Sequence, residues 1–337
     1  MIEARYIRRE RTFVCIFLFA MCLVLAHFVH DAWFTNAQAM SARPVPVKQT
    51  LYAPNAYRVA MSALVPFLLK TFRVADWTSV YSVLDFCFAF PALYLLYRLT
   101  TDDLRLPAAN LNERFASVAM FLAFLQFPMA WIVPWQRPET TPSALYVALA
   151  LFCVSRAKRQ GKWFAPLLVA SAVQAFVRSD VAFIFGVAMV LVCFGDSAMR
   201  PFGSRLVSLL KSGCVVLVAA GVQLYLQFIR FPHLTYPPGT SVLQLSNNLR
   251  PHFLEVSTIA LLPFLLLGVF LICKRPQLRT VDALAVTAAA LYLPLWFAVG
   301  SVGEVRLFVP FLLPLCMAAA RVFSRYLMDQ ASDAGVL

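Results

Sequence analysis

The stretch TFVCIFLFAMCLVLAHFVH, residues 12–30, contains no Lys, Arg, Asp or Glu. As an α-helix it would be about 28 Å long, close to the ~30 Å hydrocarbon thickness of a bilayer. Asp31 follows it directly, and four arginines precede it: Arg5, Arg8, Arg9 and Arg11. Basic residues mark the cytoplasmic side of a span, and no small-residue cleavage site follows. The pattern therefore predicts an uncleaved signal-anchor helix that brings Asp31 to the opposite membrane face.

The rest of the chain repeats this pattern of long apolar runs between short charged loops. Hydrophobic residues make up 61% of the 337 positions, and the mean hydropathy is +0.75. An α-helix in lipid satisfies its backbone hydrogen bonds within itself. The strict alternation of apolar and polar residues that is typical of a membrane β-barrel strand is absent from the sequence. We therefore predict an all-α, polytopic transmembrane helical bundle that forms one domain over residues 1–337 and has no soluble domain. Spans are expected near 12–30, 78–97, 115–134, 141–155, 163–177, 180–196, 205–229, 254–273, 280–299 and 304–323.

The segment 57–73 decides the topology, because it is apolar but short. If it does not cross the membrane, cytoplasmic segments hold nineteen Lys and Arg and external segments hold ten; a crossing changes this ratio to eleven against eighteen. The positive-inside rule favours the first arrangement. Its polar residues recur at helical spacing and form one stripe: Arg58, Ser62, Pro66, Lys70 and Arg73. We predict a large first external loop, residues 31–77, that contains an amphipathic helix lying in the membrane interface.

With this topology, chemically informative side chains collect on the external face. They are Asp31 at the end of span 1, Arg137 and Glu139 in one turn, Arg178 and Asp180 in a second, and Glu304 and Arg306 at the start of the last span. One such acid–base turn is more often ordinary helix-end charge. Three on one side indicate a site, because ionisable groups near a membrane are costly and usually functional. Guanidinium and carboxylate groups together suit an anionic substrate and a general base.

Other functional classes lack their sequence signals. No glycine-rich phosphate loop or nucleotide fingerprint occurs in the cytoplasmic loops. The eight cysteines form no C-x-x-C pair, and the four histidines have no metal-ligand spacing. The net charge of +13 is accounted for by topology signals, so it does not indicate nucleic-acid binding. No cofactor is predicted; the carboxylates are compatible with a divalent metal but do not require one.

The layout resembles the GT-C superfamily of polyprenyl-phosphate-dependent membrane glycosyltransferases. The matching features are Asp31 after the first span, the large first external loop, and three short motifs: Arg-Pro-Glu at 137–139, Arg-x-Asp at 178–180 and Glu-x-Arg-x-Phe-x-Pro at 304–310. The resemblance implies that Asp31 is the general base. It also implies that Arg178 or Arg306 holds the donor phosphate, with Arg58 as a further cation. Two features depart from the family: His30-Asp31 replaces a pair of acids, and the chain ends soon after its last span.

The resulting functional prediction is a transferase that moves a sugar from a polyprenyl-phosphate donor to an acceptor on the periplasmic side. The protein would lie in the inner (plasma) membrane with both termini cytoplasmic. Its partners would be the lipid-linked donor, the bilayer and envelope-biosynthesis proteins. Two alternatives remain open at this stage. One is a transporter or flippase for a lipid-linked glycan, and the other is a non-catalytic subunit of envelope polysaccharide assembly.

Overall fold

The computed structural model describes residues 2–39, 58–73, 77–101, 111–132, 139–157, 160–195, 202–234, 243–274, 278–300 and 305–333, and every regular element in these ranges is helical. The predicted all-α class is confirmed. The α-helices are α1 Ile2–Ala39, α2 Val59–Phe72, α3 Trp77–Thr101, α4 Leu111–Ile132, α5 Thr140–Ala157, α6 Phe164–Gly195, α7 Phe202–Leu224, α8 Leu245–Asn248, α9 Pro251–Cys273, α10 Thr280–Val299 and α11 Val309–Asp333. A π-helical turn, Tyr225–Arg230, extends α7, and 3-10 turns at Gly161–Trp163 and Val305–Phe308 precede α6 and α11.

Seven helical segments within the described ranges are long and apolar enough to cross a membrane, by length and composition. They comprise most of α1, α3, α7 and α11, all of α5 and α10, and one 35-residue segment, Gly161–Gly195, that contains α6. Many large apolar side chains on these helices are exposed, among them Ile16, Val169 and Leu217. Exposed apolar helix surface of this extent is characteristic of a protein that lies in lipid. The chain therefore has the architecture of a multi-pass helical membrane protein.

Two groups of charged residues define the ends of the bundle. The proximal end collects Glu10, Arg114, Asp282, Arg321 and Arg325. The distal end collects Arg58, Glu139, Arg178 and Asp180. Except for α6, each long helix has one terminus near each group: α10, for example, begins beside Arg321 at Asp282 and reaches Asp180 at Trp296. Only α2 and the four-residue α8 among the described helices do not run between the two ends.

Helix α6 is a helical hairpin rather than one straight rod. Its backbone leaves helical geometry at Arg178, where φ is −157° and ψ is 99°. The ammonium of Lys211 lies 5.7 Å from the Phe164 ring, and the hydroxyl of its neighbour Ser212 lies 3.6 Å from Cys193 Sγ. In a straight helix residues 164 and 193 would be about 44 Å apart. The first arm (164–177) and the second arm (179–195) are therefore antiparallel, and Arg178 lies at the apex.

Helix α2 stays at the distal end. Arg58 at its N-terminus pairs with Glu139, and α3 starts at the same end only four residues after Arg73. Four extended residues span at most about 14 Å, whereas α2 itself is about 21 Å long. An α2 that ran towards the proximal end could not reconnect to Trp77. It lies instead against α3 and α6, with Met61 and Val65 buried.

Helix α1 differs from the sequence prediction at its C-terminal end. The prediction ended the helix at His30, but the helix continues to Ala39, so Asp31 lies inside it. The physical reason is that residues 31–39 contain no Gly or Pro, and the edge of the apolar run does not by itself break a helix. Asp31 is twenty-one positions after Glu10, which places it about 31 Å along the helix from the proximal end. Its side chain lies outside the described residues.

Candidate functional site at the distal end

The apex of the α6 hairpin forms the centre of the distal end. Val-Arg-Ser-Asp contains neither Gly nor Pro, yet the helix breaks there. Ser179 and Asp180 start the second arm, and both residue types favour helix N-termini because their oxygens accept hydrogen bonds from free N–H groups. The side-chain amide of Gln174 in the first arm donates to the Arg178 carbonyl at 3.3 Å. This contact gives a partner to a backbone acceptor at the break.

Arg178 holds a buried polar cluster together. Its side chain is 1% exposed and donates to Asp180 through Nε at 3.3 Å and Nη2 at 2.6 Å. Nη2 also donates to the hydroxyl of Tyr292, and the guanidinium lies 5.3 Å from the Trp296 ring. A planar, two-pronged cation suits these simultaneous contacts, which a lysine could not all make. Arg178 therefore connects the hairpin apex to α10.

Asp180 is the partly exposed member of this cluster. It accepts hydrogen bonds from Tyr292 Oη at 3.3 Å and Trp296 Nε1 at 3.2 Å, in addition to those from Arg178. Its side chain nevertheless stays 30% exposed. Four donated hydrogen bonds fix the carboxylate and favour its charged form. A carboxylate held in this way is a fixed negative group with one accessible face, suited to orienting a ligand hydroxyl.

A second ion pair lies beside the first. Arg58, at the N-terminal end of α2, donates to Glu139 Oε1 at 3.4 Å, with side-chain exposures of 11% and 7%. No described residue hydrogen-bonds the buried Glu139 Oε2. A buried carboxylate oxygen without a partner costs free energy, about 1–3 kcal/mol or more when charged. Glu139 therefore keeps one carboxylate oxygen that no described group hydrogen-bonds and that is itself shielded from solvent.

A cavity of about 460 Å³, the polar cavity, opens between the second arm of α6, α7 and α10. Arg58, Arg178, Asp180, Gln223 and Trp296 line its polar part. The remainder is apolar and includes Phe183, Ile184, Ala219, Ala220, Leu224 and Leu295. Binding sites commonly combine apolar walls with a few convergent polar groups. The chemistry of this cavity suits an amphiphile with an anionic head and a hydrocarbon chain.

The structure brings together four of the eight predicted site residues: Arg58, Glu139, Arg178 and Asp180. Asp31 is at the distal end by its position along α1. Arg306 lies in the 3-10 turn before α11, but its side chain is outside the described residues, as are Arg137 and Glu304 entirely. Asp85, a further carboxylate that lies about two turns inside the expected span 78–97, is 3% exposed and accepts a 2.6 Å hydrogen bond from Thr141.

Sequence reasoning missed the partners that position Asp180. Neither Tyr292 nor Trp296 is among the predicted site residues, and Gln223, which accepts a hydrogen bond from Ser179, was also missed. Tyr292 and Trp296 are four residues apart and share one face of α10. Two amphipathic aromatic residues on one face, near a predicted charged turn, were the available signal. Within the described ranges, no three His, Cys, Asp or Glu side chains are grouped as metal ligands.

Comparisons with known proteins leave the family open. No protein-family model matches the chain, and no curated protein and no solved structure matches it either. The resemblance to GT-C enzymes therefore rests on the short motifs and the layout alone. Any functional assignment has to come from the geometry of the distal end.

Proposed function

We propose that the protein is a membrane glycosyltransferase that takes its sugar from a polyprenyl-phosphate carrier. The observation that supports this most is the polar cavity, whose lining combines Arg58 and Asp180 with apolar side chains of α6, α7 and α10. A polyprenyl phosphate has the matching shape: a charged phosphate on a long hydrocarbon chain. The chain would enter from the lipid between the helices, so no soluble binding domain is needed.

The proposal assigns a role to each group. Arg58 faces the donor phosphate directly, and Arg178 positions Asp180, which orients the sugar hydroxyls. Asp31 is the general base, as the family resemblance implies. Glu139 and Arg306 complete the polar surroundings, with Arg137 and Glu304 in the neighbouring turns. Cations aimed at a leaving phosphate stabilise its developing charge, and such electrostatic stabilisation is commonly the largest single contribution to catalysis.

The reaction balances without a redox partner. The acceptor hydroxyl loses its proton to Asp31, and its oxygen forms a bond to the anomeric carbon of the sugar. The bond between that carbon and the phosphate oxygen breaks, and its electron pair leaves with polyprenyl phosphate. General base catalysis of this kind contributes roughly 10²–10⁴ in rate.

The proposal includes a membrane topology. The ten helical segments that run between the two ends would be ten spans, with the arms of α6 counted separately. Both termini would be cytoplasmic, and the distal end would face the periplasm of an inner (plasma) membrane. α2 would lie in the outer interface. This orientation is supported by the distribution of Lys and Arg, nineteen of which fall in cytoplasmic segments.

Binding of a 55-carbon polyprenyl phosphate to the purified protein in detergent tests the donor assignment, with the uncharged polyprenol as the reference ligand. We expect Arg58→Gln to weaken phosphate binding at least tenfold, because charge-assisted hydrogen bonds contribute about 1.5–3 kcal/mol. Arg73→Gln is the matched control, since Arg73 lies at the other end of α2 and is exposed. Equal binding of the phosphate and the alcohol would contradict the proposal.

Asp31→Asn separates binding from chemistry. We expect this variant to bind polyprenyl phosphate normally and to release none from polyprenyl-phosphate sugars extracted from membranes of the source organism. The released carrier is measured by mass spectrometry. Normal release by the variant would remove Asp31 as the base. Transport of intact lipid-linked sugar across vesicles, without release of carrier, would instead support a flippase.

A further inference from the structure

A second cavity lies on the other side of the α6 apex. This apolar cavity, of about 670 Å³, lies between α2, α3, α5 and the first arm of α6. Thirteen of its fifteen lining residues have no polar side-chain nitrogen or oxygen, the exceptions being Tyr146 and Gln174. The polar cavity is lined by the second arm. The hairpin therefore separates two cavities of different chemistry.

The two polar side chains in the apolar cavity are already bound to protein groups. The Tyr146 hydroxyl lies 3.0 Å from Ser171 Oγ, and the Gln174 amide nitrogen donates to Ser143 Oγ at 2.8 Å and to the Arg178 carbonyl. Water enters a cavity only where several polar partners are available. The lining chemistry therefore selects hydrocarbon as the occupant.

The shape of the apolar cavity fits one lipid chain. Along the first arm its walls extend from Ala165 to Val177, about 18 Å in a helix, close to the ~15 Å depth of the hydrocarbon in one leaflet. Val169 and Val173 belong to the lining and are 64% and 59% exposed. The cavity is thus open on its lipid-facing side. A chain could enter sideways and lie parallel to the helices.

The distal end of the apolar cavity lies close to the Arg58–Glu139 pair, although neither residue lines it. Ala60, in the cavity wall, follows Arg58 by two residues, and Pro142 follows Glu139 by less than one helical turn. Arg58 also lines the polar cavity, so the pair lies between the two cavities. The headgroup of a lipid in the apolar cavity would therefore lie near this ion pair, at the same end of the bundle as Asp180 and the polar cavity.

We infer that the apolar cavity holds a hydrocarbon chain of the acceptor, so that the acceptor, like the donor, is anchored in lipid. This inference rests on the proposed function and specifies its second substrate class. The acceptor headgroup would lie beside the Arg58–Glu139 pair while the oxygen of its reacting hydroxyl approaches the anomeric carbon held in the polar cavity. The new glycosidic bond forms as the bond from the sugar to the phosphate breaks, and the hydroxyl proton passes to Asp31.

Photo-crosslinking tests the occupancy of the apolar cavity. The full-length protein is reconstituted with phosphatidylglycerol that carries a diazirine at the end of one acyl chain, and labelled positions are mapped by mass spectrometry. We expect labels to concentrate on residues 60–64, 142–149 and 165–177. Ala170→Phe fills the cavity and should lower labelling there at least fivefold. Ala172→Phe, the same change on the same arm outside the lining, should leave it unchanged.

Two results would overturn the assignment of a hydrocarbon chain to the apolar cavity. Equal labelling of the cavity and of the exposed, outward-facing Leu217 would show surface lipid only. Labelling that Ala170→Phe does not lower would place the chain elsewhere. Failure of the proposed function is a separate result: a protein that keeps the cavity labelling but binds polyprenyl phosphate no better than polyprenol refutes the transferase and its donor, not the hydrocarbon occupant.

Competition and transfer decide whether the chain belongs to the acceptor. Saturating 55-carbon polyprenyl phosphate should keep labelling of the apolar cavity within twofold of its value without that ligand, because the donor occupies the polar cavity. Ala170→Phe should bind polyprenyl phosphate normally but lower release of the carrier at least tenfold. Loss of labelling on adding polyprenyl phosphate would assign the cavity to the donor chain. Unchanged release by Ala170→Phe would make the occupant a structural lipid. Either result overturns the inference.

Discussion

The two ends of the bundle use the same ion-pair chemistry in different ways. At the proximal end Arg321 pairs with Asp282, with side-chain exposures of 4% and 1%, and donates from Nη1 to the Leu99 carbonyl at 2.7 Å. At the distal end Arg178 is equally buried, but its partner Asp180 is 30% exposed and faces a cavity. Both arginines connect separate elements. Only the distal pair leaves one partner accessible to a ligand.

The contrast distinguishes structural ion pairs from candidate functional ones. Glu10 is bound by Arg114 at 2.6 and 3.0 Å and by the Tyr97 hydroxyl at 2.8 Å, and these contacts join α1, α3 and α4. Such pairs hold helices in register, and they contribute little net stability compared with apolar residues of the same shape. Charge near a membrane is therefore not sufficient evidence of a binding site. The neighbouring cavity and the accessible oxygen are what make the distal end a candidate.

The largest expected contrast is topological, because the two ends should lie on opposite faces of the membrane. In a chain without other cysteines, Arg73→Cys should react with an impermeant maleimide from outside the cell. The native Cys273, retained alone at the proximal end of α9, should react only after permeabilisation. The reason is that α2 begins and ends at the distal end. Labelling of both positions from one side would place α2 across the membrane.

Removing one partner of the fully buried ion pair at the proximal end should destabilise the fold. We expect Arg321→Met to lower the free energy of unfolding by about 3–5 kcal/mol, because the buried Asp282 carboxylate would lose its ionic partner. Chemical denaturation in detergent measures this loss. The double variant Arg321→Met/Asp282→Asn should recover much of it, since Asn removes the charge and keeps an acceptor for the Arg279 backbone N–H. A double variant no more stable than the single one would contradict this account.

The smallest expected effect compares conservative changes at the two ends. Arg178→Lys should weaken binding of polyprenyl phosphate about tenfold, because an ammonium cannot hold Asp180 and Tyr292 in the same geometry. Arg325→Lys should leave binding unchanged, since its pair with Glu113 is at the proximal end and 26% and 18% exposed. Isothermal titration provides the measurement. Equal losses in both variants would remove the distinction between the ends.

Much of the architecture could be predicted from the order of apolar and charged residues. Apolar length predicted helices at nearly all the observed positions, and the turn at Val-Arg-Ser-Asp lies where α6 folds back. The predicted end of α1 at His30 was wrong, because hydropathy marks the boundary of the lipid and not the end of the helix. The aromatic partners of Asp180 were missed because Tyr292 and Trp296 are more than a hundred residues away in the chain.

The sequence by itself determined that this protein is helical and apolar, and that its charges collect in a few turns. Those properties follow from local composition and from the requirement that backbone groups in lipid be hydrogen-bonded within the helix. Only the tertiary structure decided that Arg178 and Asp180 meet α10, that Arg58 joins Glu139, and that cavities lie on both sides of the apex. Such contacts depend on how distant helices pack, and no local pattern specifies that packing.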